Sequence, residues 1–144
     1  EKDTIRIYNI HLESLKISSD KENFGEKNSD KLIDRMKASF QKQAIQVEEF
    51  LKHEKQWEGK KIVCGDFNNT AFSWVYKQVS KNKQDAFKIA GKGLGKTFNS
   101  SYPLRIDFIL LDNNFEVNNF KTFKVQYSDH FPILARINLR DKTK

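Results

Sequence analysis

Lys60-Lys61-Ile62-Val63-Cys64-Gly65-Asp66-Phe67-Asn68 is the stretch that decides the fold. Residues 60–65 read as a short buried strand. Asp66 and Asn68 follow at once. A buried carboxylate has to be paired, hydrogen-bonded or on a metal, so polarity there is costly unless it is used. Taken alone, Gly-Asp-Phe-Asn can also be a simple turn, since Gly, Asp and Asn all favour turns. What surrounds it decides.

Upstream, residues 30–52 read as the one long helix. Ile33, Met36, Phe40, Ala44, Val47 and Leu51 recur at spacings of three and four and form one apolar stripe. Ser29 is a plausible N-cap, Asp30 suits the first turn, and Lys52 and His53 suit the last. Residues 18–28 are polar and read as a loop. Residues 4–12 read as a strand, with Ile5 and Ile7 on one face and Tyr8, Ile10 and Leu12 on the other, a pattern expected of burial on both sides. Downstream, 72–80 read as a short helix and 91–96 as a glycine-rich loop. The order and spacing of its glycines match no nucleotide-binding fingerprint. Three strands follow, at 104–111, about 115–125 and 132–139. Asp141 to Lys144 read as a frayed tail, which leaves residues 1–140 as the folded unit.

The chain has 144 residues, enough for one modest domain or a piece of a larger one. With 38% hydrophobic residues and twelve Phe it can build a packed core and is not of disordered composition. Its net charge of +7 suits an anionic partner such as nucleic acid, phospholipid or a phosphorylated metabolite. The opposing reading is a solvated surface, because Lys outnumbers Arg about four to one and site-specific phosphate readers lean on the Arg fork. The single cysteine, Cys64, rules out an intrachain disulfide and reads as a buried filler. No run of about 18 apolar residues is present and no signal peptide begins the chain. It starts at Glu1 rather than Met and runs into a strand within a few residues, so it reads as a cut-down piece.

Four short segments carry polar residues where polarity is expensive. His11 ends an apolar strand; Asp66 and Asn68 follow another; Asp107 interrupts the run from Leu104 to Leu111; Asp129 and His130 precede the last strand. Each has a bland alternative. A strand-end His is often structural, Ser128-Asp129-His130 is a weak signal, and Asp107 can pair with Arg105, since residues two apart share a strand face. Several such residues at strand ends nevertheless suggest one shared site, because ligand sites in layered α/β proteins gather where strands end.

Taken in order, Asn9-Ile10-His11-Leu12, Gly65-Asp66-Phe67-Asn68, Arg105-Ile106-Asp107-Phe108-Ile109 and Ser128-Asp129-His130-Phe131-Pro132 resemble the endonuclease/exonuclease/phosphatase superfamily, the DNase I-like enzymes. The resemblance runs from about residue 5 to residue 139. It implies an α+β sandwich: half of a four-layer DNase I-like fold, with a mixed, mostly antiparallel sheet and one long helix. It implies hydrolysis of a phosphodiester or phosphomonoester by an activated water, with Mg²⁺ or Mn²⁺ as cofactor. On this likeness His11 contacts the scissile phosphate and helps the leaving group. Asp66 and Asn68 position the attacking water and the phosphate, and both are candidate metal residues. Asp107 orients the catalytic His130, and Asp129 faces the metal. A hard divalent cation neutralises an anionic phosphodiester, and an Asp–His pair fixes the imidazole tautomer.

Two departures bear on this. The family places an Asn-bearing strand and a metal-binding Glu before the His-Leu strand, so the chain is expected to be the C-terminal half, inactive alone and weak in Mg²⁺ binding. The partners expected are a phosphate ester (nucleic acid, lipid headgroup or inositol phosphate), the missing N-terminal half, and a second copy of the chain through the face that half would cover. The other departure is Gln43 where related bacterial sequences often carry Arg, on a helix position that reads as structural. Asp85-Ala86-Phe87 and Gly91 to Phe98 resemble a bacterial subgroup whose members often carry upstream membrane segments, so the parent is either cytoplasmic or membrane-anchored. A non-catalytic phosphate-binding or scaffold member of the same fold is the alternative to a hydrolase. It would be expected to lose Asp66, Asn68, Asp129 or His130, and all four are here. The motifs do not discriminate between nuclease, phosphatase and lipid phosphodiesterase.

Overall fold

The computed structural model describes residues 4–15 and 26–140. Two stretches read from sequence fall wholly or partly elsewhere. The loop expected over 18–28 lies outside the described residues as far as residue 25, and so does the tail at 141–144. The strand at the head of the chain is β1 (Ile5–His11), followed by the long helix α1 (Glu26–Glu54) and β2 (Lys60–Asp66). Then come α2 (Trp74–Val79), β3 (Lys83–Asp85), α3 (Ala86–Ala90), β4 (Asp107–Asp112), β5 (Phe115–Thr122) and β6 (Ile133–Leu139).

Four strands form one sheet in the order β1-β2-β4-β3, and β5 and β6 form a second, two-stranded sheet. Only β1 and β2 pair in parallel; the other pairs are antiparallel. The class is the expected α+β, mixed and mostly antiparallel. The larger sheet packs one face on α1 and α2, where Tyr8, Val63, Phe108 and Leu110 meet Val47, Val75, Tyr76 and Val79. Its other face carries Ile62 and Leu111, which join Ala86 of α3 with Phe115, Val117 and Phe120 of β5. Removing a Val, Leu or Phe side chain from water contributes about 1.5–3 kcal/mol, so these two clusters supply most of what holds the layers together.

Four expectations are corrected. β1 was expected to be buried on both faces, but it is the edge strand, and Ile7 is 64% exposed while Tyr8 is buried. On the second apolar face of β1, Ile5 packs against the cluster around Ile62 and Leu111, while Ile7 lies open. The long helix begins at Glu26, so Ser29 lies inside it and is not its N-cap. Its inner face also differs from the apolar stripe. Ile33 and Phe40 are exposed, whereas Ser39, Gln43 and Val47 are buried. The reason is a demand for hydrogen bonds. The chain after His11 and the loop after Asp66 present backbone carbonyls to α1, and buried carbonyls must find donors. Gln43 Nε2 donates to the carbonyls of Glu13 (2.7 Å), Phe67 (3.3 Å) and Asn68 (3.4 Å), and Ser39 Oγ donates to that of Ser14 (3.1 Å). Cys64, expected to be buried, is half-buried.

Strand β3 and helix α3 were not expected at all. Asp85 explains both. It is buried, its Oδ1 accepts from the N–H groups of Phe87 and Lys88 as the N-cap of α3, and its Oδ2 accepts from the Tyr76 hydroxyl (2.7 Å) and Arg105 Nη1 (2.9 Å). Arg105 is thereby committed to Asp85, which removes it as a partner for Asp107.

Gly65 sits opposite Ile10 in the β1–β2 ladder, just before Asp66. Its φ is +137°, and a Cβ there would come 1.9 Å from the carbonyl oxygen of Ile10. Only glycine fits, and this close approach sets His11 beside Asp66.

Candidate functional site

Strand register alone assembles half of the site. His11 is the partner of Asp66 in the β1–β2 ladder, and Asp66 is the partner of Asp107 in the β2–β4 ladder. Three polar residues therefore stand in a row across three adjacent strands, at one end of the sheet. Residues opposite one another in a ladder share a face, and neighbouring strands lie about 4.8 Å apart, so the three side chains converge.

The fourth comes from the segment before β6. Thr97 is fully buried, and its hydroxyl oxygen accepts from the N–H groups of Ile106 (3.0 Å) and Asp107 (3.1 Å). Its carbonyl accepts from Phe131 N, while Asn99 N donates to the Asp129 carbonyl at 2.7 Å and Phe98 bridges His130. Segment 97–99 thus ties residues 129–131 to the start of β4. That brings His130 Nδ1 to 2.9 Å from Asp107 Oδ2. Next to a carboxylate, Nδ1 carries the proton, which leaves Nε2 as the free nitrogen. Nε2 lies 3.8 Å from Asp66 Oδ2, and His11 Nε2 lies 3.5 Å from that same oxygen. These two separations exceed a hydrogen bond and leave both imidazoles turned toward one carboxylate oxygen.

Asp66 is held from the other side: its Oδ1 accepts from Asn68 N at 2.7 Å. Asn68 takes a left-handed conformation (φ +47°), which Asn tolerates better than most residues, and its Nδ2 donates to the Leu12 carbonyl at 2.8 Å. Asp129 is exposed, and its Oδ1 accepts from the hydroxyl of Ser128 at 3.1 Å. All six residues, His11, Asp66, Asn68, Asp107, Asp129 and His130, line one cleft of about 760 Å³.

The electrostatics follow from this crowding. Burial raises the Asp66 carboxyl above its ordinary value, and the Asp107 carboxylate adds to the rise; the Asn68 N–H, His130 and His11 oppose it. For His130, burial alone lowers the pKa, but the hydrogen bond and charge of Asp107, with the charges of Asp66 and Asp129, outweigh it and the net shift is upward.

Two carboxylates repelling one another beside an imidazole are a poor arrangement without a cation. Among the described residues, Asp66, Asp107 and His130 each offer a ligand atom within 4.8 Å of the others'. Carboxylate oxygens are donors that a hard divalent cation takes, and of the two carboxylates Asp107 is already engaged by His130 through Oδ2, which leaves Asp66 as the one open to a cation. Asp129, expected on the metal, lines the cleft but stands outside that tight group.

Of two residues that position the site, one went unrecognised and one was read correctly. Thr97 carried no signal by itself. Gln43 was read as structural, and it is: besides its three carbonyls it accepts from Asn69 Nδ2 at 3.0 Å.

The profile of the Endonuclease/Exonuclease/phosphatase family matches residues 43–130. Among solved structures, an endonuclease/exonuclease/phosphatase from Bacteroides vulgatus is similar at 26% identity, over 69% of this chain and 45% of its own, with a TM-score of 0.60. A mannosyl-6-phosphatase from Bacteroides thetaiotaomicron matches 92% of this chain and 51% of its own at 21% identity, with a TM-score of 0.54. A 3′ phosphatase from Neisseria, bound to a product DNA hairpin, matches 93% and 61% at 18% identity and a TM-score of 0.63. The last two likenesses show the fold alone. The chain spans less than half the length of the Bacteroides vulgatus structure. No curated protein matches it.

Proposed function

Since the chain belongs to the endonuclease/exonuclease/phosphatase family, we propose that it carries the phosphate-handling and proton-transfer residues of a metal-dependent phosphoesterase. The observation that carries this reading is the contact of His130 with Asp107 at 2.9 Å, with its free nitrogen turned toward Asp66. A scaffold that merely binds phosphate has no need of an imidazole whose tautomer is fixed by a carboxylate.

In the proposed mechanism a water attacks phosphorus while held by Asp66 Oδ2, with Asn68 fixing that carboxylate through its backbone N–H. His130 Nε2 takes part in proton transfer, and Asp107 holds the ring and stabilises its charged form. His11, 76% exposed, contacts the phosphate and assists departure of the leaving oxygen. A divalent cation, when bound, would neutralise charge on the phosphate. Asp66 and Asp129, with Asn68, are the residues proposed to hold it.

These 144 residues supply few ligand atoms, and Mg²⁺ demands near-octahedral oxygen ligation. The chain by itself is therefore expected to bind Mg²⁺ weakly and to turn over no substrate, whereas the whole enzyme that carries it hydrolyses bis(p-nitrophenyl) phosphate or p-nitrophenyl phosphate with Mg²⁺ or Mn²⁺ and stops with EDTA. Titration calorimetry of the chain and rates of the enzyme check both halves. EDTA-resistant turnover by the enzyme would overturn the metal dependence.

The raised pKa of His130 gives a second test. In the metal-free protein, NMR titration of this ring should show a midpoint above the ordinary imidazole value of about 6.5. Asp107→Asn removes the strongest upward influence, so the midpoint should fall. The linked stability runs the same way: the Asp107–His130 contribution is full below about pH 6.5 and lost as pH rises through the raised value. A midpoint unmoved by Asp107→Asn would sever the pair.

Among the described residues, no helix is long and apolar enough to cross a membrane.

A further inference from the structure

A second groove, of about 540 Å³, opens next to the catalytic cleft. Four lysines line it: Lys92 and Lys96 from the glycine-rich loop, Lys121 from β5 and Lys124 just beyond it. They come from segments far apart in sequence, so their convergence is a product of the fold and not of a basic run. No acidic residue stands among the groove's described lining residues. Lys96 donates to the carbonyl of Ser100 and Lys121 lies 4.6 Å from the Phe123 ring, while Lys92 and Lys124 form no ion pair with another described residue. Four ammonium groups gathered in a concavity repel one another, and a concavity of one sign focuses the field on an incoming anion.

The groove and the cleft share a wall. Tyr102 and Leu104 line the cleft, and Pro103, between them, lines the groove. The Lys96 hydrogen bond to Ser100 pins the loop that forms this wall. Tyr102, 63% exposed, stands on it.

We propose that the lysine groove is a second, non-catalytic subsite that holds phosphates lying beyond the scissile one, and that the substrate is a single-stranded phosphodiester chain crossing the wall from cleft to groove. The inference rests on the phosphoesterase reading above and narrows its substrate class. Three features favour an extended chain over a compact phosphorylated metabolite. Each cavity alone has the volume of a small-molecule site, and here two stand back to back. Lysine makes point-charge contacts that suit a backbone read without regard to sequence. The exposed Tyr102 ring on the wall offers a surface on which a base can stack.

The test is binding, which needs no turnover. A labelled single-stranded thymidine octanucleotide is titrated by fluorescence anisotropy at several salt concentrations, without metal. Lys92→Gln/Lys121→Gln/Lys124→Gln is expected to weaken binding at least about tenfold and to reduce the slope of log K against log salt by about two, since each lost phosphate contact on a single strand removes about 0.7. Circular dichroism checks that these exposed changes leave the fold intact. His130→Ala should still bind the octanucleotide, which separates the subsite from the catalytic reading: lysine-dependent binding with no hydrolysis by the parent enzyme would sink the hydrolase and leave the subsite standing. An unchanged affinity and slope in the triple variant would overturn the proposal. So would displacement of the octanucleotide by inositol hexakisphosphate at a lower concentration than unlabelled octanucleotide requires, which would mark a compact polyphosphate pocket.

Discussion

On the proposed mechanism, replacement of His130 by alanine is expected to lower kcat about 10³-fold, with KM changed little. The ring stands between two carboxylates, with Nδ1 on Asp107 and Nε2 facing Asp66, and in the proposed mechanism it transfers a proton from that position rather than holding substrate. A positioned acid–base group contributes roughly 10²–10⁴-fold, and 10³ corresponds to about 4 kcal/mol of transition-state stabilisation. Asp66→Ala should cost at least as much, because the same carboxylate serves both the water and the cation in the proposed mechanism. Neither change should unfold the protein. The His130 side chain is 29% exposed and that of Asp66 16%, and neither belongs to an apolar cluster. Steady-state rates on bis(p-nitrophenyl) phosphate, with thermal melts alongside, decide it. Turnover within tenfold of the wild type in either variant would remove that residue from the mechanism.

The site was legible because its residues break a pattern. Apolar strands that end in His11 and Asp66 or begin with Asp107 have no packing reason to do so, and the β1–β2–β4 register puts all three in one row. Sequence could not supply that register, which depends on which strands neighbour one another. It supplied only the likeness to a family in which those residues act together. The Arg105–Asp107 pairing stayed open for the same reason. Alternation along one strand allows it, and it is excluded only by Asp85, twenty residues upstream in the chain.

Elements that tertiary contacts create were not legible. β3 has three residues and α3 five, too short for any periodicity to register. They exist because Asp85 is held by Tyr76 and Arg105 and caps the helix that follows. The long helix was recognised and its face misjudged, which has the same cause. Counting apolar residues at spacings of three and four assumes that the buried face is the apolar one. In α1 the buried face is chosen partly by carbonyls on neighbouring loops that need donors, so Gln43 goes in and Phe40 stays partly out. The lysine groove escaped notice for a related reason. Even spacing of Lys along a chain says nothing about where the fold gathers them, and lysines some thirty residues apart line one concavity.

Gln43→Glu should be among the most damaging changes a single oxygen can make here. The side chains are nearly isosteric, so packing is unchanged and only polarity differs. Gln43 is fully buried, and its amide nitrogen faces three carbonyl oxygens, those of Glu13, Phe67 and Asn68. A carboxylate oxygen in that place repels all three and carries a buried charge with no cationic partner, at a cost of about 3–5 kcal/mol, a large part of the 5–15 kcal/mol that holds a domain folded. Those carbonyls belong to the segments that follow His11 and Asp66, so activity in the folded fraction should fall too. The pH dependence identifies the cause. Burial raises the pKa of the new carboxyl above its unfolded value of about 4.3. The stability gap to wild type is then small below about pH 4.3, where the protonated acid can still donate, and grows as pH rises toward and through the folded-state value. Gln46→Glu is the control three residues along the same helix. Gln46 uses its carbonyl oxygen to accept from Glu13 N at 2.8 Å, an acceptor that glutamate retains, so the same substitution there should cost little. Denaturant melts of both variants at pH 4 and pH 7 make the comparison. Equal stability losses for the two, or a Gln43→Glu gap that does not widen with pH, would show that Gln43 does not hold the site through its amide donor.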